Sequence, residues 1–379
     1  MPDGALRDEL EQLRNTTRRF LERHVVPHCG RWRRAGRVDR AVWLEAGRAG
    51  LLGASVPAEY GGSGGDFRHE AVICEELARI NFIDFGIGVH SGIVVPYVVR
   101  HGTPEQKARW LPMLVSGEMV AAIAMTEPGA GSDLQAMRTG ARLDGDAYVL
   151  RGQKTFISNG QQADLVLVCA RTDPAQGGKG LSLLGVETGR ADGFRRGRNL
   201  EKIGLHAQDT SELFFDDVRV PVDALLGGVP GQGFRMMMEM LPQERLIIAV
   251  QGLAAMEAAL AEAIRYVKER EAFGRKLIEF QNTRFKLAEA RTEATVARAF
   301  VERCIDDLVA GRLDAPTAAM AKWWVTDRQW AVVDECLQLF GGYGYMAEYP
   351  IAQMWLDARA QRIYGGTNEI MKELVARSL

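Results

Sequence analysis

Residues 124–133 read AMTEPGAGSD and bring glycines together with short hydroxyl side chains. Gly129 and Gly131 carry no Cβ atom, so the backbone there can approach a ligand closely. Thr126 and Ser132 place hydroxyl groups beside backbone N–H groups, a combination that can bind an anion. The pattern fits both a loop that holds a polar, anionic cofactor and a tight β-turn that binds nothing. Spacing alone favours the turn.

Other kinds of reaction lack their sequence patterns. The chain has no GxSxG, GxxxxGK[ST] or GxGxxG pattern, which are typical of hydrolase nucleophiles, P-loops and Rossmann dinucleotide sites. His24 and His28 have helical spacing, but Pro27 lies between them and no HExxH pattern occurs, so we expect no metal site. The five cysteines are widely spaced without a CxxC pair, which indicates no disulfide framework and favours a reducing cytoplasm.

The composition narrows the class of protein further. In 379 residues, 47 Lys and Arg face 49 Asp and Glu, so the net charge of -2 does not indicate a nucleic-acid or polybasic membrane binder. No run of 18 apolar residues occurs, so we expect no membrane insertion. The acidic stretch DELEQL at 8–13 argues against a signal or transit peptide. We therefore expect a cytoplasmic protein of two or three domains.

The hydrophobic period divides the chain into three parts that must position these residues. In residues 1–118 apolar side chains recur near every 3.6 positions, which predicts an N-terminal α-helical domain. Residues 119–228 hold short β-rich segments separated by turn residues, which predicts an antiparallel β-domain and disfavours a doubly wound nucleotide fold. Residues 229–379 return to the helical period and predict an antiparallel bundle. The strands are predicted at 147–158, 164–170, 181–187 and 212–221, and the bundle helices at 232–268, 277–310, 315–340 and 368–377.

Six motifs in order resemble those of the acyl-CoA dehydrogenase family. Residues 124–133 are similar to its signature, and five further motifs extend the resemblance over nearly the whole chain. They are KTFISNG (154–160), KIGLHAQDTSELFF (202–215), EREAFG (269–274), QLFGGYGY (338–345) and IYGGTNEI (363–370). The resemblance implies an α+β multi-domain fold, with an N-terminal α-helical domain, a middle antiparallel β-domain and a C-terminal four-helix bundle. It also implies FAD as cofactor, a homotetramer built as a dimer of dimers, and an electron-transfer flavoprotein as partner.

The resemblance assigns FAD contacts residue by residue. It places Met125, Thr126, Gly131, Ser132, Phe156, Ile157 and Ser158 around the flavin. Phe156 stands where relatives commonly have Trp, and it keeps a ring but lacks an N–H donor. Contacts to the FAD of a neighbouring subunit are implied for Arg270, Phe273 and Gln281, another part of that shared site for Gln338, Gly341 and Gly342, and C-terminal contacts for Thr367 and Glu369. Taken alone, Arg270 would be a surface residue and the two glycines a helix stop.

The catalytic base is where members of the family differ. Many carry a Glu directly after the Tyr of the C-terminal motif, where this chain has Gly365. A subset that includes the long-chain and isovaleryl dehydrogenases carries it on the first long bundle helix, where this chain has Glu244. The apolar neighbours of Glu244 predict a pKa raised by desolvation, which Arg245 would oppose. The alternative is a carboxylate at a helix start, stabilised by the macrodipole.

The reaction follows from these assignments. The resemblance implies that Glu244 removes the α-proton of an acyl thioester, while the Gly365 N–H and a ribityl hydroxyl of FAD stabilise the enolate oxygen. It implies substrate contacts at Ser132, Arg245, Tyr364 and Gly366. The product would be a trans-2-enoyl-CoA in fatty acid β-oxidation.

The substrate is predicted less directly. The motifs are most similar to the long-chain subgroup, which favours a medium- or long-chain acyl-CoA. A methionine cluster fits an acyl pocket or ordinary core packing equally well; it consists of Met236, Met237, Met238 and Met240. The competing hypotheses are a dehydrogenase for acyl groups on a carrier protein, a flavin oxidase or N-hydroxylase, and a non-enzymatic flavoprotein suggested by Gly365.

Overall fold

The helices of the first third follow the apolar periodicity of the sequence, in a computed structural model that describes residues 4–379. They are α1 (Gly4–His24), α2 (Cys29–Ala35), α3 (Arg40–Arg48), α4 (Phe67–Arg79), α5 (Ile87–Val89), α6 (Val95–His101) and α7 (Pro104–Ser116). A π-helical turn, His90–Val94, joins α5 to α6. The N-termini of α4 and α7 are fixed by capping boxes at Asp66 and Thr103, which satisfy backbone N–H groups that the helix leaves free.

The middle part is a seven-stranded sheet with the order β1-β4-β2-β3-β7-β6, and β5 pairs with β4. Its strands are β1 (Ala121–Ala124), β2 (Gly140–Asp144), β3 (Ala147–Ser158), β4 (Leu165–Arg171), β5 (Leu181–Glu187), β6 (Phe194–Asn199) and β7 (Thr210–Pro221). The sheet is mixed rather than wholly antiparallel, because β1 and β2 each pair with β4 in parallel. Parallel pairing requires a long connection, and the loop after β1 together with the β2–β3 hairpin supplies it between β1 and β4.

The last part contains the predicted bundle. Its helices are α8 (Gly233–Glu269), α9 (Gln281–Val309), α10 (Ala315–Leu339), α11 (Pro350–Ala358) and α12 (Asn368–Ala376), and a short hairpin of β8 (Glu271–Ala272) and β9 (Arg275–Lys276) follows α8. The N-terminal α-helical region, the middle sheet and the helical C-terminal region confirm the predicted fold class. By length and composition α8 could cross a membrane, but 72% of its apolar window is buried inside the protein, as in a core helix.

Helix α8 joins the bundle to the N-terminal helices. Its apolar residues form one buried cluster with Phe67 and Cys74 of α4 and with residues of α9 and α10. At the edge of this cluster the Arg298 guanidinium on α9 binds both Glu75 of α4 and Glu257 of α8. The two regions therefore share a core and an ion-pair network, which fixes α8 against the cavity described next.

Candidate active site

A cavity of about 890 Å³ lies where the three parts of the chain meet. The α5–α6 region, the loop after β1, the end of β3, helix α8 and the segment before α12 all line it. Twelve of the predicted site residues share this cavity: Met125, Thr126, Gly131, Ser132, Phe156, Ile157, Ser158, Glu244, Arg245, Tyr364, Gly365 and Gly366. The structure therefore brings the predicted base, the signature loop and the C-terminal motif together in one cavity.

The signature loop is both a turn and a cavity wall. Glu127 and Ala130 exchange two backbone hydrogen bonds of 2.9 and 3.1 Å across Pro128 and Gly129, so the tight turn is present. The residues that follow, from Gly131 onward, line the cavity. Turn formation and ligand contact are thus properties of successive residues, and the two hypotheses drawn from the sequence do not exclude one another.

A buried ion pair holds this loop from behind. The Lys154 ammonium donates to Glu127 Oε1 at 2.9 Å and to the carbonyl oxygen of Met125 at 2.9 Å. The Glu127 carboxylate also accepts from the backbone N–H groups of Arg138 and Thr139 at 2.6 and 2.9 Å. A paired, fully hydrogen-bonded carboxylate can remain buried in its charged form. Glu127 therefore shapes the loop and is not a second base.

The polar groups on the cavity wall suit a flavin cofactor. The hydroxyls of Thr126, Ser132 and Ser158 line the cavity and make no hydrogen bond to any other residue between 4 and 379. Apart from its two chain neighbours, no heavy atom of residues 4–379 lies within 4 Å of where a Cβ of Gly131 would stand, so a ligand can approach its backbone. These donors, beside an aromatic ring, match what a flavin with its polar chain requires.

The aromatic ring is Phe156, whose backbone is held in an uncommon conformation. Its φ is +59°, at an irregularity in the pairing of β3 with β7, and 67% of the residue is exposed. A positive φ costs an L-residue about 1–2 kcal/mol, and strain of this kind concentrates at ligand sites. The conformation presents the ring to the cavity rather than to the core.

Glu244 lies well inside α8, because that helix begins at Gly233. The alternative of a helix-start carboxylate is therefore wrong. The residue is 7% exposed, and the Tyr97 hydroxyl donates to its Oε1 at 2.7 Å. Burial raises the pKa of Glu244 to about 7, while the Tyr97 hydrogen bond and the charge of Arg245 act in the opposite direction. A carboxylate with a pKa near neutrality is suited to general-base catalysis.

Arg245 is a buried cation that faces the same cavity. It is 7% exposed, and its Nε has no hydrogen-bond partner among residues 4–379. Burial lowers its pKa, and the nearby Glu244 raises it. Its guanidinium forms no salt bridge within the part of the chain that the structure describes. Because a buried, unpaired charge is costly, this arrangement favours a ligand oxygen as its acceptor.

The turn at Gly365 and Gly366 also lines the cavity. Gly365 has φ +66° and Gly366 has φ +89°, conformations that favour glycine. A Cβ on Gly365 would lie 2.3 Å from Ile248 Cδ1, so a larger residue here requires the end of the Ile248 side chain to move. Lys322, which is fully buried, holds the turn by donating to the Gly366 carbonyl oxygen at 2.7 Å. Burial and the charge of Arg245 lower the pKa of Lys322 to about 7.

The other predicted cofactor residues lie outside the cavity. They are Arg270, Phe273, Gln281, Gln338, Gly341, Gly342, Thr367 and Glu369. Arg270 stands 5.5 Å from the centre of the Tyr343 ring, and Phe273 at the tip of the β8–β9 hairpin is 95% exposed. Arg270 is exposed, so within one chain it is a surface residue, and Gln338, Gly341 and Gly342 are exposed as well. Thr367 caps α12 by accepting from the Ile370 N–H.

Several residues of the cavity were not found from the sequence. Tyr97 and Lys322 contact the base and the glycine turn, yet each stands in an ordinary apolar helix without a motif. Gln251 and Ile248 line the cavity two turns or less from Glu244 on α8, and their helical spacing is a signal that could have found them. Of the methionine cluster, Met238 lines the cavity, whereas the other three methionines pack in or beside the core.

Family models cover almost the whole chain. The N-terminal domain of acyl-CoA dehydrogenase matches residues 7–118, the middle domain residues 122–218 and the C-terminal domain residues 231–379. The chain belongs to the acyl-CoA dehydrogenase family, whose members are FAD-dependent oxidoreductases acting on CH–CH groups.

Individual relatives narrow the comparison. The long-chain specific mitochondrial acyl-CoA dehydrogenase of Mus musculus is 48% identical over 376 residues, which is 98% of this chain and 86% of the relative. A solved acyl-CoA dehydrogenase from Geobacillus kaustophilus superposes with a TM-score of 0.95 and 47% identity, over 98% of this chain and 97% of that one. A glutaryl-CoA dehydrogenase from Mycobacterium smegmatis in complex with FADH2 has a TM-score of 0.91 and 28% identity, over 98% and 94%.

Proposed function

We propose that this acyl-CoA dehydrogenase uses Glu244 as its catalytic base and acts on medium- or long-chain acyl-CoA. The observation that carries the proposal is the buried Glu244 carboxylate, which shares one cavity with the signature loop and the Gly365 turn. FAD, when bound, accepts the hydride from the β-carbon of the substrate. The residues that would hold it in this cavity are those of the signature loop and the end of β3.

The remaining steps belong to the chain itself. Glu244 removes the α-proton, and its raised pKa of about 7 gives it useful basicity while a large share of it is ionised at neutral pH. The Gly365 N–H, which donates to no acceptor within residues 4–379, is free to stabilise the enolate oxygen. Arg245 supplies positive charge to the same cavity. A hydrogen-bond donor and a cation together lower the barrier to removing a weakly acidic proton.

The length of the cavity supports the substrate class. Along α8 it is lined from Phe234 to Gln251, and seventeen residues of helix span about 26 Å. Most of the side chains between them that face the cavity are apolar, including Leu241, Ile247 and Ile248. Such a channel fits an extended acyl chain beside the flavin. The identity to the long-chain enzyme points the same way.

The test is anaerobic reduction of bound FAD by a series of acyl-CoA thioesters from butyryl-CoA to stearoyl-CoA. We expect the flavin to bleach, most readily with medium or long chains. Glu244→Gln should keep the yellow colour and slow bleaching by about 10²–10⁴-fold, the usual contribution of a general base. Failure of every thioester to bleach the flavin would refute the dehydrogenase activity.

The same assay separates the alternatives. A carrier-protein dehydrogenase would be reduced by an acyl-carrier thioester and not by the CoA thioester of the same chain. An oxidase or N-hydroxylase would be reoxidised rapidly by oxygen, whereas a dehydrogenase would await an electron-transfer flavoprotein. The retained Glu244 favours α-proton removal, since a monooxygenase has no need of it.

The assembly and its setting are part of the proposal. We infer a homotetramer in the cytoplasm, with an electron-transfer flavoprotein as electron acceptor. An exposed surface that includes Phe273 and Tyr345, which are 95% and 86% exposed, supports contact with a second copy. Sedimentation of the wild-type protein and of Phe273→Asp tests this: the variant should dissociate and lose FAD. A monomeric wild-type protein that retains FAD would contradict it.

A further inference from the structure

Tyr97 and Glu244 form a hydrogen bond between two distant parts of the chain. Tyr97 lies on α6 and Glu244 on α8, 147 positions apart, and the hydroxyl donates to Oε1 at 2.7 Å. Tyr97 is fully buried and does not line the cavity. It therefore stands behind the carboxylate, on the side away from the substrate.

We propose that Tyr97 is a positioning residue for the catalytic base: by holding Oε1, it leaves Oε2 of Glu244 as the oxygen that takes the substrate proton. The proposal rests on the proposed role of Glu244. Oε2 accepts no hydrogen bond from any residue between 4 and 379, and Glu244 lines the cavity. The two oxygens of one carboxylate thus have different tasks.

The orientation of a glutamate carboxylate is otherwise weakly fixed. The last torsion of the side chain connects sp³ and sp² atoms, and such torsions are broad. The Tyr97 ring is itself held tightly, since it packs in a buried cluster with Val94, Val98 and Leu114. A hydroxyl on a fixed ring can hold one carboxylate oxygen in place, so that the other keeps a constant direction toward the cavity.

The Tyr97 hydroxyl is suited to positioning and not to relaying protons. Burial and the nearby Glu244 carboxylate raise the pKa of Tyr97 well above its usual value, so it stays protonated. When the Cα–H bond of the substrate breaks, an O–H bond forms at Oε2 and the electron pair remains on the enolate. Oε1 then becomes the carbonyl oxygen of the acid, and Tyr97 can continue to donate to it.

The charged groups around Glu244 determine how removal of the Tyr97 hydroxyl should change the pKa of Glu244. From α6 the Tyr97 hydrogen bond favours the carboxylate, and from α8 Arg245 does the same, while burial opposes both. Lys322 on α10 lies close enough to Arg245 for the two charges to interact. Tyr97→Phe removes the one hydrogen-bond donor that residues 4–379 offer to the carboxylate, so the proton should bind Glu244 more tightly.

The experiment compares Tyr97→Phe with Tyr148→Phe in the FAD-loaded enzyme. Tyr148 is also a buried residue, but it lies on β3, so its variant loses a tyrosine hydroxyl without touching the base. We expect Tyr97→Phe to move the acid limb of the kcat/KM profile upward by about one pH unit, a tenfold change in the ionisation constant. We also expect kcat to fall at least severalfold at high pH with KM almost unchanged. Tyr148→Phe should resemble the wild type in the acid limb of the pH profile, in kcat and in KM.

A second measurement does not depend on catalysis. The infrared band of the protonated Glu244 carboxyl group, identified by its absence in Glu244→Gln, should titrate at higher pH in Tyr97→Phe. Identical titration in Tyr97→Phe and wild type, or equal effects of the two tyrosine variants on the pH profile, would overturn the proposal. If Glu244→Gln were fully active, the assignment of the base would fail instead, and the infrared result would show whether the hydrogen bond still orders that carboxylate.

Discussion

Replacing Gly365 by alanine should destabilise the protein more than the same change at another glycine of similar backbone conformation. Gly365 has φ +66°, and a Cβ there would lie 2.3 Å from Ile248 Cδ1. Gly311, after α9, has φ +69° and open space around its Cβ position. The first substitution therefore adds a backbone penalty and a collision, whereas the second adds only the backbone penalty.

The expected magnitudes follow from these two terms. Placing an L-residue at positive φ costs about 1–2 kcal/mol, which is the whole expectation for Gly311→Ala. An overpacked core contact adds about 1–3 kcal/mol, so Gly365→Ala should lose about 2–5 kcal/mol of the free energy of unfolding. Ile248→Val removes the colliding Cδ1 and by itself costs about 0.5–1.5 kcal/mol.

The assay is guanidinium unfolding, followed by circular dichroism. It compares the wild type, Gly365→Ala, Gly311→Ala, Ile248→Val and the double variant that combines Gly365→Ala with Ile248→Val. In the Ile248→Val background, the penalty of Gly365→Ala should fall to roughly that of Gly311→Ala, and the double-mutant cycle should report this coupling. Equal losses for the two alanine variants, or no relief by Ile248→Val, would refute the reasoning. The result bears on catalysis, because a glutamate base at position 365 would meet the same Ile248 side chain.

Two further predictions concern buried charges. Burial and Asp84 raise the pKa of Asp357 to about 7. The stability that the protonated Asp357 contributes is therefore complete below about pH 4 and should be lost as the pH rises to about 7. Asp357→Asn should flatten this slope in thermal melts, and an unchanged slope would contradict the prediction. Arg298→Met should cost about 2–4 kcal/mol near neutral pH by leaving the buried Glu75 short of a partner. Because the Arg298 charge helps lower the pKa of Glu75, that loss should shrink as the pH falls below about 4.5, and a loss independent of pH would point to packing alone.

The sequence predicted what depends on local pattern. The strand predicted at 147–158 is β3 (Ala147–Ser158), and the helix predicted at 315–340 is α10 (Ala315–Leu339), because periodicity and turn residues determine both. The raised pKa of Glu244 followed from its apolar neighbours in sequence, which are also its neighbours in space.

What could not be predicted depends on contacts between distant segments. The parallel pairing of β1 with β4 arises from the path of the chain between them and has no signature in either strand. The contact of Tyr97 with Glu244 requires the packing of α6 against α8, and neither residue signals the other. The proximity of Gly365 to Ile248 could not be predicted either, since Ile248 is more than a hundred positions away in the sequence.

The length of helix α8 sets the distance between the catalytic base and Arg270. It runs unbroken from Gly233 to Glu269, so Glu244 and Arg270 are separated by 26 residues, or about 39 Å along its axis. A dinucleotide cofactor is shorter than this distance even when extended. One such molecule cannot touch the base and the Arg270 surface of the same chain. If both regions serve a single flavin site, the rigidity of this helix requires that they come from different copies.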